Sequence, residues 1–520
     1  MYKNKNRVML QMTFAVLLLL PALVKSQNAL PVKVRIDAAH PMQTIEGFGA
    51  SDAWTCQYAG LWPEEKKKKM ADLLFSNDLD AKGNPKGIGL NLWRFSIGAG
   101  SDQQGAESGI RDQDRRQASF LKLDGTYDEA AMRGQMWFMH AAKARGVKKF
   151  LGFVNSPHVN FTKNGKAYSS DGKSNLDFNK KNAFAQDVLK TIQIIKKQSG
   201  ITLDYLSPVN EPQWKWDEGK QEGCPYTNAE IAELVRTLSP ALKNGGVNTK
   251  IQIADAGQLD YLTDHKDTPK SQQISYFFNA GSPGYLADLP NLDRSISGHS
   301  YFTTSPEERS ISIRTKVAAE VEKAGNLRFW MSEYCVLGDA LLKGEGRDTG
   351  MTTALFIAKL MHHDFSYANA TSWQWWLAIS AGDYKDGLVY LDRDKNKDKN
   401  DGTVVESKLL WGMGNYSRFI PEGSRRLPIK MENGDQVYTS SYSHEGKIIT
   451  VIVNTRKEAV SLEIEGISKK QRKIKTYTTS AGLSLAAGTV NSNVIKILPE
   501  SITTLITNQT TTSIPLKNSN

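Results

Sequence analysis

Short apolar segments alternate with amphipathic segments through most of this 520-residue chain, and the alternation limits the folds that it can adopt. The apolar segments have the length of β-strands, and those between them place apolar residues at helical spacing. The eight predicted strands are residues 44–50, 89–96, 148–155, 202–206, 250–254, 295–300, 327–333 and 371–376. Eight strands alternating with helices predict an α/β fold, a (β/α)8 TIM barrel rather than an open doubly wound sheet.

The pattern changes after the predicted barrel, which we place at residues 44–427. Residues 428–506 contain short segments of strand character separated by turns such as His444-Glu445-Gly446. These segments predict an attached small antiparallel β-sandwich domain. Residues 507–520 are polar and rich in Thr and Asn, and we expect a tail without packed structure.

The first 26 residues have the pattern of a secretory signal peptide. Three basic residues precede the apolar residues 8–20, and a cleavage site fits before Gln27. The apolar stretch is short for a membrane span, and no later segment qualifies as one. We therefore predict a protein exported to the periplasm or the extracellular space, with no integral membrane segment.

The charge of the chain does not indicate a nucleic-acid partner. The formal net charge is +11, and four of the basic residues lie in the predicted signal peptide, which leaves about +7. The run Lys66-Lys67-Lys68-Lys69 follows two acidic residues at a predicted helix start. This pattern favours a solvated helix face over a nucleic-acid site, and a weakly anionic polysaccharide remains compatible with the charge.

Cysteine and metal-ligand patterns are sparse. Cys56, Cys224 and Cys335 are too few for a disulfide framework, so we expect buried thiols, although one bridge remains open. No Cys or His spacing fits a zinc site. Residues 392–402 alternate Asp, Lys and Asn but lack the Gly and Glu positions of a calcium loop, which indicates a solvated loop. We predict no metal and no cofactor.

Two glutamates follow predicted barrel strands. Glu211 lies in Ser207-Pro208-Val209-Asn210-Glu211-Pro212, after the fourth strand, and Glu333 ends the seventh. The C-terminal ends of barrel strands form the face that contains the active site. Paired carboxylates at this face suit the hydrolysis of a glycosidic bond. A single glutamate in such a motif is more often a surface charge, so the prediction depends on the pair and its placement.

Other polar and aromatic residues fall at or near the same strand ends. These candidates are Asp52, Arg94, Asn155, His299 and Trp375. Trp54, Trp214 and Trp216 lie in adjoining segments and can stack on sugar rings. Arg94 also has a structural alternative as part of a buried ion pair, and the histidine and the tryptophans have one as core packing.

Taken in order, these motifs resemble glycoside hydrolase family 30, and within it the endo-β-1,6-galactanase-like group. The resemblance extends over essentially the whole chain after the predicted signal peptide. The matching segments are Gly47-Phe48-Gly49-Ala50-Ser51-Asp52-Ala53-Trp54, Ala71-Asp72-Leu73-Leu74-Phe75-Ser76, Asn155-Ser156-Pro157, Pro208-Val209-Asn210-Glu211-Pro212-Gln213-Trp214, Ser332-Glu333, Trp373-Gln374-Trp375-Trp376-Leu377-Ala378 and Gly414-Asn415-Tyr416-Ser417-Arg418-Phe419-Ile420.

The resemblance implies a retaining mechanism in which Glu333 is the nucleophile and Glu211 is the acid/base. In retaining enzymes the two carboxyl groups lie about 5–5.5 Å apart. The charge of Glu333 would then raise the pKa of Glu211 and keep it protonated until the leaving group departs. The resemblance also implies that residues 27–43 contribute a strand to the β-sandwich.

The resemblance assigns further roles around the two glutamates. Arg94 would orient the nucleophile by charge-assisted hydrogen bonds, and Asn210 would hydrogen-bond the sugar 2-hydroxyl. His299 and Tyr301 follow the sixth strand, where partners of the two glutamates are expected. Trp375 would form the floor of the subsite for the cleaved sugar.

Two departures from the family pattern leave the sugar open. Phe153 stands where several relatives have tryptophan, and His158-Val159-Asn160 replaces an expected aromatic pair. We predict a monomeric, secreted endo-β-1,6-galactanase acting on a plant-type polysaccharide or oligosaccharide. The alternatives are β-1,6-glucanase, xylanase, β-fucosidase or glucosylceramidase-like activity, a catalytically inactive carbohydrate-binding protein, and a metal-dependent barrel lyase.

Overall fold

The computed structural model describes residues 30–338, 341–393, 400–465, 473–492 and 494–508. The predicted signal peptide lies outside these residues, as do residues 394–399 of the Asp/Lys/Asn insert and residues 509–520 of the predicted tail. The first described strand, β1 (Val32–Ile36), precedes the barrel.

Eight parallel strands close into a barrel, which confirms the (β/α)8 prediction. Each strand pairs with the next one along the chain, and the last pairs with the first through Gly47 opposite Ser372. The barrel strands are β2 (Gly47–Ser51), β3 (Leu92–Ile97), β4 (Lys149–Val154), β5 (Tyr205–Ser207), β6 (Lys250–Ala256), β7 (Leu292–His299), β8 (Arg328–Glu333) and β9 (Ser372–Trp375). Glu211 therefore follows the fourth barrel strand and Glu333 ends the seventh.

Helices connect successive barrel strands, and one more follows the last strand. They are α1 (Thr55–Ala59), α2 (Glu64–Phe75), α3 (Ser101–Gln104), α4 (Arg133–Ala144), α5 (Lys181–Ser199), α6 (Asn228–Asn244), α7 (Gln273–Phe278), α8 (Glu307–Lys323), α9 (Met351–Tyr367) and α10 (Lys408–Ser417). Helix α6 begins at a capping box in which Thr227 and Glu230 satisfy each other's backbone N–H groups.

A three-stranded sheet extends from the end of the barrel. It consists of β10 (Ile379–Ser380), β11 (Val389–Arg393) and β12 (Gly402–Glu406). The Asp/Lys/Asn insert joins β11 to β12, and its first and last residues pair within this sheet.

The remaining strands form a four-stranded sheet in the order β14-β1-β17-β20 and a six-stranded sheet in the order β13-β15-β16-β21-β18-β19. These strands are β13 (Arg425–Leu427), β14 (Ile429–Glu432), β15 (Val437–His444), β16 (Lys447–Asn454), β17 (Val460–Glu465), β18 (Ile474–Ser480), β19 (Leu483–Val490), β20 (Val494–Ile497) and β21 (Ser501–Asn508). Strand β1 runs antiparallel to β14 and parallel to β17. One buried apolar cluster combines side chains of both sheets, including Val34 and Leu462 from one and Ile452 and Leu505 from the other.

Strand β21 extends past the predicted end of the sandwich. Thr507, which the sequence placed in the polar tail, is buried and pairs with Ile448 of β16. The backbone of Thr507 forms its hydrogen bonds with β16, and its β-branched side chain suits a strand. The polar composition of residues 507–520 was therefore a poor guide to the position of the strand end.

All three cysteines are buried free thiols, as expected. Within the part of the chain that the structure describes, no helix combines the length and the apolar character needed to cross a bilayer.

Candidate active site

Glu211 and Glu333 lie together in one cavity at the C-terminal face of the barrel. The cavity has a volume of about 470 Å³, and we call it the central cavity. Both glutamates are more than 90% buried. A carboxyl oxygen of Glu211 lies within 4.8 Å of a carboxyl oxygen of Glu333, although 122 positions separate the two residues in the sequence.

The carboxylate of Glu333 is fixed at both oxygens. Arg94 Nη1 donates to Glu333 Oε2, and Tyr301 Oη donates to Oε1 at 2.9 Å. Arg94 Nη2 donates to Asn210 Oδ1 at 2.9 Å. The guanidinium carbon lies 3.8 Å from the centre of the Phe153 ring, which fixes the plane of the fork. Glu333 is thus held in one orientation as a hydrogen-bond acceptor.

Glu211 is held in an uncommon backbone conformation. Its φ is 45°, a value that non-glycine residues rarely adopt and that is characteristic of functional sites. Its backbone N–H donates to the carbonyl of Asp255 at 2.9 Å, and Trp216 Nε1 donates to its carbonyl at 3.0 Å. His299 Nδ1 lies 3.0 Å from Glu211 Oε1. Burial raises the pKa of Glu211, the charge of Glu333 adds to this effect, and the contact with His299 opposes it. Glu211 is therefore suited to donate a proton.

Asp255, at the end of β6, connects the two halves of the site. Its carboxylate accepts hydrogen bonds from Ser207 Oγ, from Ser332 Oγ at 2.6 Å and from Arg94 Nη2 at 3.3 Å. His299 Nε2 lies 3.7 Å away. Although burial alone would raise the pKa of Asp255, these partners hold it well below its usual range. Asp255 is thus a buried negative charge between Arg94 and His299.

Sequence analysis did not identify Asp255. The predicted fifth strand ended at residue 254, whereas the observed strand continues to Ala256 and includes Asp255. The signal was present, because Asp255 follows the apolar run of a barrel strand just as Glu333 does.

His299 is surrounded by carboxyl groups. Burial alone would lower the pKa of His299, but the nearby Glu333, Asp255 and Glu211 raise it to about 9. Glu211, His299 and Glu333 are, among the described residues, the group of His and acidic side chains close enough to share a metal ion. A histidine must lose its proton to bind a metal, and the neighbouring carboxyl groups favour the protonated form of His299. The same cluster is suited to proton transfer.

The structure distributes the other predicted site residues between the cavity surface and the layer beneath it. Trp54, Asn210, Trp214 and Tyr301 line the central cavity, as does Trp216. Arg94 and His299 lie just below, in contact with the two glutamates.

Asp52 and Asn155 are buried and do not line the central cavity. Asp52 Oδ1 accepts from Ser96 N at 2.7 Å and from Gln135 Nε2 at 3.1 Å. Asp52 Oδ2 and both amide atoms of Asn155 have no hydrogen-bond partner within the described ranges.

Trp375 is also fully buried and does not line the central cavity, whereas its neighbour Trp376 does. The indole nitrogen of Trp375 donates to the carbonyl of Asp386 at 2.7 Å. Trp376 lines the cavity and packs edge-on against Trp54, with ring centres 5.0 Å apart. Trp376 directly follows the last barrel strand, one residue after the tryptophan singled out in the sequence.

Two further cavities adjoin the central cavity, one lined mainly by the segment after β5 and the other by segments after β2, β3 and β9. The aromatic arm, of about 330 Å³, is lined by Arg115, Trp214 and Trp216 with the loop residues 215–221. The acidic arm, of about 450 Å³, is lined by Trp54, Thr55, Tyr58, Asp112, Asp114, Arg115, Leu377, Ser380, Ala381, Gly382, Asp383, Tyr384, Asp386 and Arg393. Both arms share residues with the central cavity, and of the described residues Arg115 alone lines all three.

Several residues of this cleft carried no sequence signal. Phe302 is 45% exposed and packs edge-on against Trp214 with ring centres 5.8 Å apart, so it enlarges the aromatic surface. Arg115, Tyr384 and Asp386 come from long connections, where neither periodicity nor a strand end marks a residue. The result is a cleft made of the central cavity and two adjoining arms.

A closed (β/α)8 barrel whose C-terminal face contains a close pair of buried glutamates is the arrangement of the barrel glycoside hydrolases. Residues 31–390 match the model of O-Glycosyl hydrolase family 30, and the chain belongs to this family.

Known relatives agree with this assignment. An endo-beta-1,6-galactanase from Hypocrea rufa is 24% identical over 389 residues, which cover 72% of this chain and 72% of that protein. A glucuronoxylanase XynC from Bacillus subtilis is 21% identical over 319 residues, or 60% of this chain and 62% of that protein. The crystal structure of a conserved exported protein from Bacteroides fragilis is 32% identical with a TM-score of 0.85, and the match covers 91% of this chain and 99% of that one.

Proposed function

We propose that the protein is a retaining glycoside hydrolase that cleaves β-glycosidic bonds by double displacement. Glu333 is the nucleophile and Glu211 is the acid/base. The observation that supports this is the separation of the two carboxyl groups, whose closest oxygens lie within 4.8 Å. An inverting enzyme needs about 6.5–9.5 Å between its carboxyl groups to admit a water molecule.

In the first step Glu333 attacks the anomeric carbon and forms a glycosyl ester. Glu211 transfers its proton to the glycosidic oxygen as the bond to the leaving group breaks. Arg94 and Tyr301 hold both oxygens of Glu333, so little reorientation precedes the attack.

In the second step the charge of Glu333 is absent because it is esterified. The pKa of Glu211 falls accordingly, and its carboxylate accepts a proton from the attacking water. Glu333 is released with its charge restored, and the sugar keeps its β configuration.

For the substrate we propose a β-1,6-linked galactan cleaved at internal bonds. The similarity to the Hypocrea rufa endo-beta-1,6-galactanase supports the sugar, and the two arms of the cleft support internal cleavage. Xylan is the second candidate, because the Bacillus subtilis glucuronoxylanase aligns over 60% of the chain.

A time-resolved proton NMR experiment with product sizing tests this function. We expect the β-anomer to appear first and β-1,6-galactan to yield oligosaccharides, with slower or no cleavage of β-1,6-glucan and glucuronoxylan. Glu333→Gln should abolish cleavage, whereas Glu445→Gln, an exposed glutamate in a hairpin of the C-terminal sheets, should match the wild type. Initial release of the α-anomer, or wild-type turnover by Glu333→Gln, would refute the mechanism.

We also propose that residues 1–26 are a signal peptide and that the exported protein is a monomer with two domains. The barrel begins at residue 44, and β1 together with the strands from β13 to β21 forms the β-sandwich, so the predicted boundaries at residues 427 and 506 move to include Arg425 and Asn508 in the sandwich. The pairing of β1 with β14 and β17 supports this division, and the similar protein from Bacteroides fragilis is described as exported. N-terminal sequencing of the secreted protein should begin at Gln27, and light scattering should give the mass of one chain.

A further inference from the structure

We propose that Asp386 determines specificity by accepting hydrogen bonds from hydroxyl groups of the sugar on the glycone side of the cleaved bond. The inference rests on the proposed glycosidase function and deepens it, because it identifies the kind of sugar that this side of the cleft accepts.

The first observation is an unsatisfied carboxyl oxygen. Asp386 is 7% exposed, and its Oδ1 has no hydrogen-bond partner within the described ranges. The side chain of Ser380 hydrogen-bonds the carboxyl group, and Arg115 and Arg347 attract it through their charge, but none of these contacts involves Oδ1. Leaving a buried acceptor unpaired costs stability, so such a group is expected where a ligand supplies the donor.

The second observation is its position. Asp386 lines both the central cavity and the acidic arm, together with Tyr384. Its carbonyl accepts hydrogen bonds from Trp375 Nε1 and from the backbone N–H of Leu377, so its backbone is anchored to the end of β9. A carboxylate on an anchored backbone can distinguish between hydroxyl positions, because it cannot move to reach a hydroxyl group that lies elsewhere on the sugar.

The two arms can be assigned to the two sides of the scissile bond. Glu211 protonates the leaving oxygen, so the leaving part of the chain lies beside the segment that follows Glu211. Trp214 and Trp216 belong to that segment and line the aromatic arm, which therefore accepts the aglycone. Many residues of the acidic arm, including Asp386, follow β9, and β9 lies opposite β5 in the closed eight-stranded barrel, so this arm accepts the glycone.

The charge of the acidic arm defines the sugar. Asp112, Asp114, Asp383 and Asp386 outnumber the cations Arg115 and Arg393 among its lining residues. Arg393 is already paired with Asp114 at 2.5 Å. A carboxylate accepts hydroxyl hydrogens and repels other carboxylates or sulfates. The glycone is thus a neutral sugar with free hydroxyl groups, and uronic acids and sulfated sugars are disfavoured there.

Deoxy substrates combined with Asp386 variants test the proposal. The parent is a β-1,6-galactooligosaccharide, or its counterpart from whichever polysaccharide of the panel is cleaved. Each analogue lacks one hydroxyl on the glycone side. For the wild type, removal of the contacted hydroxyl should lower kcat/KM by about 10- to 100-fold, the effect of a hydrogen bond to a charged group. On the parent substrate, Asp386→Ala should have a kcat/KM lower than that of the wild type by a similar factor. For this variant, removal of the same hydroxyl should lower kcat/KM by less than about a further threefold.

Controls separate this role from a structural one. Asp435→Asn, an exposed position in the C-terminal sheets, should behave as wild type on every substrate. The melting temperature of Asp386→Ala should stay close to that of the wild type, because Oδ1 has no partner to lose and relief of the buried carboxyl group offsets the lost contact with Ser380. Equal losses on all analogues with a lowered melting temperature would overturn the proposal and make Asp386 a structural residue.

The same experiments distinguish failure of this inference from failure of the proposed function. A 2-deoxy-2-fluoro glycoside should label Glu333 in the wild type and in Asp386→Ala. If neither protein is labelled, the retaining mechanism is wrong. If both are labelled and Asp386→Ala keeps the wild-type response to every deoxy analogue, the recognition role of Asp386 is wrong.

Discussion

Replacing Glu222 by Gln tests how burial and hydrogen bonding compete inside this protein. Glu222 is fully buried in the connection that carries Trp214 and Trp216. One carboxyl oxygen accepts from Ser101 Oγ at 2.6 Å, and the other from Ala99 N at 2.9 Å. It thereby joins the loop after β5 to the loop after β3.

Burial raises the pKa of Glu222 to about 7 from its ordinary value of 4.5, against the opposing effect of its hydrogen-bond donors. Between these two values the folded protein keeps a proton that the unfolded chain releases, so rising pH destabilises the fold. At 1.36 kcal/mol per pKa unit the loss is about 3 kcal/mol. The contribution is complete below pH 4.5 and is lost as the pH rises through 7.

Glu222→Gln removes the titrating group. The glutamine amide NH2 must also occupy one of the two oxygen positions that now accept from Ser101 Oγ and Ala99 N, where it cannot accept a hydrogen bond. We expect the variant to be less stable than the wild type at pH 4.5 and the gap to narrow by about 3 kcal/mol by pH 8. Urea unfolding followed by tryptophan fluorescence at pH 4.5, 6 and 8 measures the gap, with Glu218→Gln in the same loop as the exposed control. Parallel pH profiles would refute the prediction. A gap that widens with pH would mean that the hydrogen bonds outweigh burial.

Three further variants test other contacts. Arg94→Lys keeps the charge but replaces the two nitrogens that contact Glu333 and Asn210 by one, without the planar fork, so kcat should fall by at least about 100-fold with the fold intact by circular dichroism. Near-normal kcat would exclude an orienting role. Trp376→Ala removes an aromatic wall of the central cavity, and kcat/KM on the polysaccharide should fall by about 10-fold or more, a loss consistent with sugar stacking. An unchanged value would place the sugar elsewhere. Thr227→Ala removes the cap of α6 and should cost about 1 kcal/mol of unfolding free energy at unchanged activity; a change in turnover would contradict that separation.

The parts of the fold that follow from local pattern were predictable. Barrel strands are apolar on both faces and return at regular intervals, so periodicity alone identified all eight. The capping box of α6 and the strand-end placement of Glu211 and Glu333 depend on only a few adjacent residues. Each of these features is contained in a short window of sequence.

What sequence reasoning missed depends on the register of a strand end or on contacts between distant loops. Asp255 lay one residue beyond the predicted strand, and Trp376 one residue beyond the chosen tryptophan. Asp386 and Arg115 enter the cleft from connections whose path is set by tertiary packing. Thr507 belongs to the sheet because it pairs with Ile448 of β16, which lies 59 positions earlier in the chain. Local composition cannot reveal a partner at that distance.

Strand β1 sets a timing problem for synthesis. Arg35 of β1 contacts Glu465 of β17, and 430 positions separate them, so the earliest strand to leave the ribosome must await one of the latest. At about 5–20 residues per second the delay is on the order of tens of seconds. Throughout that delay an alternating strand with two free edges is available to other nascent chains. A chaperone that binds extended peptides would cover β1 during this delay. Slower translation of the residues after β1 should therefore lower the soluble yield of this protein. The effect should be larger than for a barrel protein in which every strand pairs with the next one to be synthesised.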